Sequence, residues 1–181
     1  MENIENQKPK AVGKYALQYG VMAGIILIIV SIIYYISGQQ QHWSASVVSY
    51  LVLLGVIIHG LRTYRDEILE GFISYGKALG FGVLLSLFAG IISGLYAFVF
   101  FKFINPEALQ TMLIEAEQTV IERNPNISDQ ELDMAMGITR VIMNPYSFFI
   151  TSIFSMTFFG TIFSLIVAAI FKKEDTMGIK E

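Results

Sequence analysis

The chain has 181 residues, of which 54% are hydrophobic and 15% charged, with a formal net charge of −3 and no cysteine. Average soluble domains carry about 25% charged residues; here the apolar excess falls in four blocks divided by short polar stretches, which excludes a water-soluble core and indicates a membrane class. The small net charge and the lack of a basic stripe outside the membrane flanks exclude nucleic acid as a partner, and the lack of cysteine excludes disulfides, thiolate metal sites and thiol catalysis.

The predicted fold is an all-α membrane protein in a single membrane domain over residues 1–181. It has four transmembrane helices, at about 15–36, 43–61, 78–104 and 146–171, and an extracytoplasmic helical hairpin in the insertion 105–145 between helices three and four. Each apolar block can supply the roughly 20 residues that cross a bilayer at about 1.5 Å per residue. The first is too long for a signal peptide and no A-x-A cleavage site follows it. The second has a shorter purely apolar run and leans on Trp43, Tyr50 and Tyr64 as interfacial groups.

Orientation follows from the basic residues. Lys8, Lys10, Lys14, Arg62, Arg65, Lys77, Lys172, Lys173 and Lys180 are nine of the twelve, and a four-span path puts all nine on one side. Basic residues near span ends are retained in the cytoplasm, so both termini are expected inside. The other side carries Lys102, Arg123 and Arg140.

The insertion 105–145 has seven acidic side chains against two basic ones. Asn105-Pro106 reads as a helix start, with Leu109, Met112, Leu113, Ala116 and Val120 as its apolar stripe. Asn124-Pro125-Asn126 breaks it. Ser128-Asp129-Gln130-Glu131 has the form of a capping box opening a second helix, and Asn144-Pro145 ends that helix or kinks it into span four. The carboxylates are dispersed without calcium-loop spacing, as on a solvated helical face. Asn126-Ile127-Ser128 is a glycosylation sequon by pattern alone.

Spans one and three echo each other at an offset of 62. Ala16-Leu17 and Gly20-Val21 match Ala78-Leu79 and Gly82-Val83, while Ser31 and Tyr34 match Ser93 and Tyr96. Two related hairpins, or chance similarity of Leu/Ile/Gly/Ser-rich helices, each account for this. Spans two and four match only weakly, through Arg65-Asp66-Glu67 and Lys173-Glu174-Asp175. Small residues also recur every four positions. Gly20 and Gly24, then Gly82, Ser86, Gly90 and Gly94, and then Gly160 and Ser164 are candidate helix-packing residues, because small side chains let backbones approach closely in lipid. They serve packing within the chain or a seam to a second copy or partner.

Few residues suggest chemistry. His42 and His59 lie near opposite ends of span two, too far apart to share a metal. His59 is a proton relay or ligand candidate by its membrane location, or an ordinary interfacial histidine. Mid-span acids and bases are lacking, which argues against a proton-coupled pump or a charge-lined channel. Gly71 to Lys77 fits the start of a phosphate-binding loop, but Ala78 stands where Ser or Thr would hold Mg²⁺. These glycines are expected to shape a turn back into the membrane. Span four is rich in Ser and Thr. With span three it offers Ser93, Tyr96, Thr157 and Thr161 as a candidate polar crevice, unless those hydroxyls bond along their own helices.

The stretch Gly71-Phe72-Ile73-Ser74-Tyr75-Gly76-Lys77-Ala78, the later Phe101-Lys102-Phe103-Ile104-Asn105-Pro106-Glu107 and the early Tyr15-Ala16-Leu17-Gln18-Tyr19-Gly20 resemble, in order and spacing, the domain-of-unknown-function family 4199. The resemblance covers nearly the whole chain. It implies a four-span inner-membrane protein of the kind found mainly in Bacteroidota, and it brings no activity, substrate or catalytic residue. From the residues themselves the leading expectation is an accessory or scaffold component of a membrane complex, with the acidic hairpin as a docking surface. The alternative is transport or handling of a lipid or small apolar solute, and an intramembrane enzyme ranks third for want of a dyad, metal pair or buried carboxylate. No cofactor is expected. The expected partners are membrane lipids and either another protein or further copies of the chain.

Overall fold

The computed structural model describes residues 4–39 and 42–173, with side chains from residue 12 onward. Lys180 and the Glu174-Asp175 pair lie outside the described residues, as do the side chains of Lys8 and Lys10. In chain order the helices are α1 (Ile4–Ile36), α2 (Trp43–Thr63), α3 (Tyr75–Val99), α4 (Glu107–Arg123), α5 (Asp129–Ile142) and α6 (Pro145–Phe171). Two π-helical turns, Tyr64–Ile68 and Phe100–Ile104, extend α2 and α3. Four stretches, Val12–Ile36, Trp43–Ile68, Tyr75–Ile104 and Pro145–Phe171, are long and apolar enough to cross a membrane. An apolar helix satisfies all its backbone groups within itself, which the bilayer interior demands.

The contacts divide into two compact units, one formed by the chain up to Ser93 with Ile153 onward, the other by Gly94–Ser152. In the first, Gly20 lies against Leu85 and Phe88 while Gly24 lies against Ile92, so α1 and α3 run parallel. Tyr15 meets Tyr64 and Tyr19 meets His59, so α2 returns antiparallel to α1. Gly82 faces Ser164 and Gly90 faces Ile153, so α6 runs antiparallel to α3. The ends of all four spanning helices that carry Lys14, Arg62, Arg65, Lys77, Lys172 and Lys173 therefore gather at one end of this unit.

That end is closed by backbone and ring contacts. The π turn carries Tyr64 into the core, where its ring stacks on Phe81 at 5.1 Å and 8° between planes. Glu70 and Gly71 then take left-handed conformations, φ 53° and 90°, and reverse the chain. Gly71 is the residue for which that conformation is free of steric cost. Ile73 and Lys173 exchange backbone hydrogen bonds of 2.9 and 3.0 Å. Arg65 donates to the Phe171 carbonyl oxygen at 3.3 Å, and its guanidinium lies 5.4 Å over the Phe171 ring. A cation there satisfies one of the orphan carbonyls at the C-terminus of α6. Helix α3 starts three residues ahead of the apolar block, at Tyr75, so Gly76 and Lys77 form its first turn rather than a phosphate-binding loop.

In the second unit, the π turn leads to Asn105, whose side-chain oxygen accepts from Ala108 N at 3.2 Å and so caps α4. Ser128 and Glu131 make the reciprocal bonds of a capping box at α5. Met136 is the one α5 residue that is fully buried, and α4 has none among the described residues.

Candidate functional site

The closest helix approaches occur where the small residues lie. A side chain on Gly82 would meet the Ser164 side chain, and one on Gly160 would meet the Ser86 side chain. The two contacts are reciprocal. Helices α3 and α6 each present a glycine and, four residues later, a serine, and antiparallel crossing sets each glycine against the other helix's serine. Ser86 donates to the Gly82 carbonyl at 2.8 Å and Ser164 to the Gly160 carbonyl at 2.6 Å. Both hydroxyls are thereby satisfied within their own helices, at 0% and 1% exposure. In lipid there is little hydrophobic gain from burying one apolar surface on another, so it is this closeness, multiplied over many atom pairs worth about 0.1–0.2 kcal/mol each, that holds helices together.

The other small residues sit in similar approaches. The Cβ position at Gly20 is 2.6 Å from Phe88 Cβ, that at Gly24 is 2.6 Å from Ile92 Cβ, and that at Gly90 is 2.9 Å from Ile153 Cα. In the second unit, Gly94 lies 2.9 Å from the Phe149 carbonyl oxygen in the same sense. The positions matched at the offset of 62 do not share neighbours: Gly20 packs on α3, whereas Gly82 packs on α6. Gly60, not singled out in the sequence, belongs with the packing residues, since its Cβ position is 2.9 Å from the Tyr19 ring and 3.3 Å from Phe81. Val56 and Tyr64 flank it at four-residue spacing, so no stripe marked it.

The four hydroxyl-bearing crevice candidates are individually placed. Ser93 donates to the Ala89 carbonyl at 2.8 Å and Thr161 to the Thr157 carbonyl at 2.7 Å, each along its own helix. The Thr157 hydroxyl is buried with no hydrogen-bond partner among the described residues. In the second unit, the Tyr96 ring lies 5.8 Å from that of Phe100. A cleft of about 200 Å³ opens elsewhere, between α1, α2 and α6, lined by Ser31, Tyr34, Ser46, Ser49, Tyr50 and Met156. Tyr34 donates to the Ser44 hydroxyl at 3.1 Å and Ser49 to the Ala45 carbonyl at 2.7 Å. Ser31 and Tyr34 are the residues that match Ser93 and Tyr96 at the offset of 62.

His59 is exposed, its ring edge-on to Tyr19 at 5.9 Å. No group of three or more His, Asp or Glu side chains with metal-binding geometry occurs among the described residues. Arg65, not singled out in the sequence as a packing residue, ties the end of α2 to α6. Its Nε and Nη2 also donate to Asp66 at 2.7 and 3.1 Å.

The model of a family described as "Protein of unknown function (DUF4199)" matches residues 18–173. No curated protein and no solved structure matches the chain.

Proposed function

The chain belongs to the family of proteins of unknown function DUF4199, and from that premise we propose that it is an accessory or scaffold component of a membrane complex. The observation that supports this reading is the closure of its four-helix unit. The Gly82–Ser164 and Gly160–Ser86 contacts, with those of Gly20, Gly24 and Gly60, take up the small residues in packing within the chain. The buried serines Ser86 and Ser164 are bonded to their own helices. What remains for other molecules is a surface: large apolar side chains around the spans, such as Ile25, Leu51, Phe154 and Ile170, and the carboxylates of α4 and α5. A body of this kind contributes shape and contact area to an assembly. In this proposal the membrane is a bacterial inner membrane with both termini cytoplasmic, an orientation supported by the basic residues at one end of the helical unit.

The second reading is handling of a lipid or small apolar solute. It is favoured by the hydroxyl-lined cleft of about 200 Å³ beside Met156, although pockets for drug-sized ligands are larger, about 300–1,000 Å³. Purification of a tagged copy from its native membrane in mild detergent, with mass spectrometry of proteins and lipids, separates the two. A stoichiometric protein partner is expected. A homogeneous particle without one, retaining a lipid that is lost on Ser49→Phe substitution in the cleft, overturns the scaffold reading in favour of the second. The absence of cysteine gives a background-free test of orientation. A single cysteine at Lys14 is expected to react with an impermeant maleimide only after the membrane is opened, and one at Gln118 before it.

A further inference from the structure

Helix α5 has two apolar faces. One, with Leu132, Ala135 and Met136, is at least partly buried. The other carries Met134, Ile138, Val141 and Ile142, which are 59%, 65%, 71% and 61% exposed. These four follow the spacing of one helix face, and at 1.5 Å per residue they form a strip about 12 Å long. A water-exposed helix gains nothing from such a strip, so something covers it.

The corner after α5 identifies the cover. Asn144 Nδ2 donates to the Val141 carbonyl at 2.6 Å, closing the end of α5. Its Oδ1 accepts from Tyr146 N and Ser147 N, both at 3.0 Å, opening α6. One side chain thus caps both helices, and no flexible linker separates the strip from the first turn of a membrane-spanning helix. Beyond the corner the exposed apolar surface continues with Tyr146 and Ile150, at 61% and 64%. The corner also bears the marks of a membrane–water boundary. Lys102 Nζ lies 4.9 Å from the Phe98 ring centroid, 5.4 Å from those of Phe103 and Tyr146, and 3.4 Å from the Tyr146 hydroxyl. A lysine among aromatic rings at a span end is the composition of the headgroup layer.

We infer that α5 is an interfacial helix, seated through Met134, Ile138, Val141 and Ile142 in the lipid leaflet that α6 enters. Its depth is that of other such helices, about 5–10 Å at the headgroup–acyl boundary. The attraction is apolar rather than ionic, because the hairpin is acidic and α5 has a single basic residue, Arg140. Seating is therefore indifferent to anionic lipid and to salt. The carboxylates of α4 and the flank of α5 with Asp129 and Asp133 are left for water or for a protein partner.

Trp43 is the only tryptophan, so the full-length Trp43→Phe chain is a dark background for a reporter. In vesicles of brominated phosphatidylcholine, the indole of Ile138→Trp is expected to lose most of its emission to the lipid and to be shielded from acrylamide. That of Asp133→Trp, on the polar flank, should show the reverse. Adding phosphatidylglycerol or salt should change neither. Val141→Trp reports on the same face should Ile138→Trp fail to fold. Equal acrylamide quenching at the two sites overturns the inference in favour of a water-facing helix. Shielding from acrylamide without quenching by bromolipid overturns it in favour of a second copy or another protein on that face.

Discussion

The crossing of α3 and α6 and the hairpin of α4 and α5 are both helix pairs, yet they cohere by different means. At the crossing, glycine admits the facing serine and the backbones close up until both hydroxyls are buried. In the hairpin, α4 has no buried residue and α5 has one, and order comes from caps: Asn105 on α4, Ser128 with Glu131 on α5, and Asn144 at the corner. Packing does the holding where lipid removes the hydrophobic effect between helices. Capping does it where the helices bury few side chains against each other. A hydroxyl accordingly plays opposite parts in the two regions. Those of Ser86 and Ser164 are internally satisfied spacers, whereas that of Ser128 is a bond on which a helix end depends.

The largest expected effect breaks the crossing. Gly160→Leu drives a branched side chain into Ser86 and is expected to cost about 3 kcal/mol, or to prevent folding outright, as read from unfolding in mixed detergent micelles. Gly160→Ala is milder, and adding Ser86→Gly to it should restore stability beyond the sum of the single effects. A coupling of about 0.5–3 kcal/mol is expected between the two positions, and additivity would show that they do not touch. Ser128→Ala, in the hairpin, should cost about 1 kcal/mol, confined to α5 and visible as faster amide exchange in its first turn. The sign reverses in the core. The Tyr64 hydroxyl is buried without a partner among the described residues, so Tyr64→Phe is expected to leave the unfolding midpoint unchanged or raise it, by at most about 1 kcal/mol.

The smallest effect depends on pH. Glu131 accepts from the Ser128 backbone N–H at 3.0 Å and from its hydroxyl at 2.8 Å. These bonds, the backbone one foremost, hold its carboxyl below the usual glutamate range. The folded form therefore binds this proton less readily than the unfolded chain does. The resulting stabilisation is complete above the ordinary glutamate pKa and is lost as pH falls through the depressed one. Amide exchange across α5, followed from neutral to acid pH, should show first-turn protection fading over that window. Glu131→Gln, which removes the titrating carboxyl, should abolish the response, whereas Ser128→Ala should only weaken it because the backbone N–H remains; a response unchanged in Glu131→Gln would mean that the capping box is not its source.

Some of the capping was legible in residue order. Ser128-Asp129-Gln130-Glu131 and Asn105-Pro106 are local signals, and their partners lie within three residues. The double role of Asn144 was not foreseen beyond a helix end or kink, because one side chain serving both helices depends on the angle of the corner. For the set Ser93, Tyr96, Thr157 and Thr161, residue order left open whether the hydroxyls line a crevice or bond along their own helices. A hydroxyl on a helix finds its own carbonyl four residues back as readily as a pore, as Ser93 and Thr161 do, and composition does not separate the two.

The sequence by itself determined the number of apolar helices long enough to span a membrane, because bilayer thickness and the helix rise leave little choice once the apolar blocks are seen. It also determined the acidic character of the hairpin and the capping box at α5, both properties of residues close in the chain. Only the tertiary structure decided which small residues face which helix. A recurring glycine reports that something comes close, and the crossing geometry alone assigns Ser164 to Gly82, Phe88 to Gly20 and Tyr19 to Gly60. It likewise decided that α5 keeps a second apolar face that the other described residues leave exposed, since periodicity records apolar residues around a helix but not which of them a neighbour has taken.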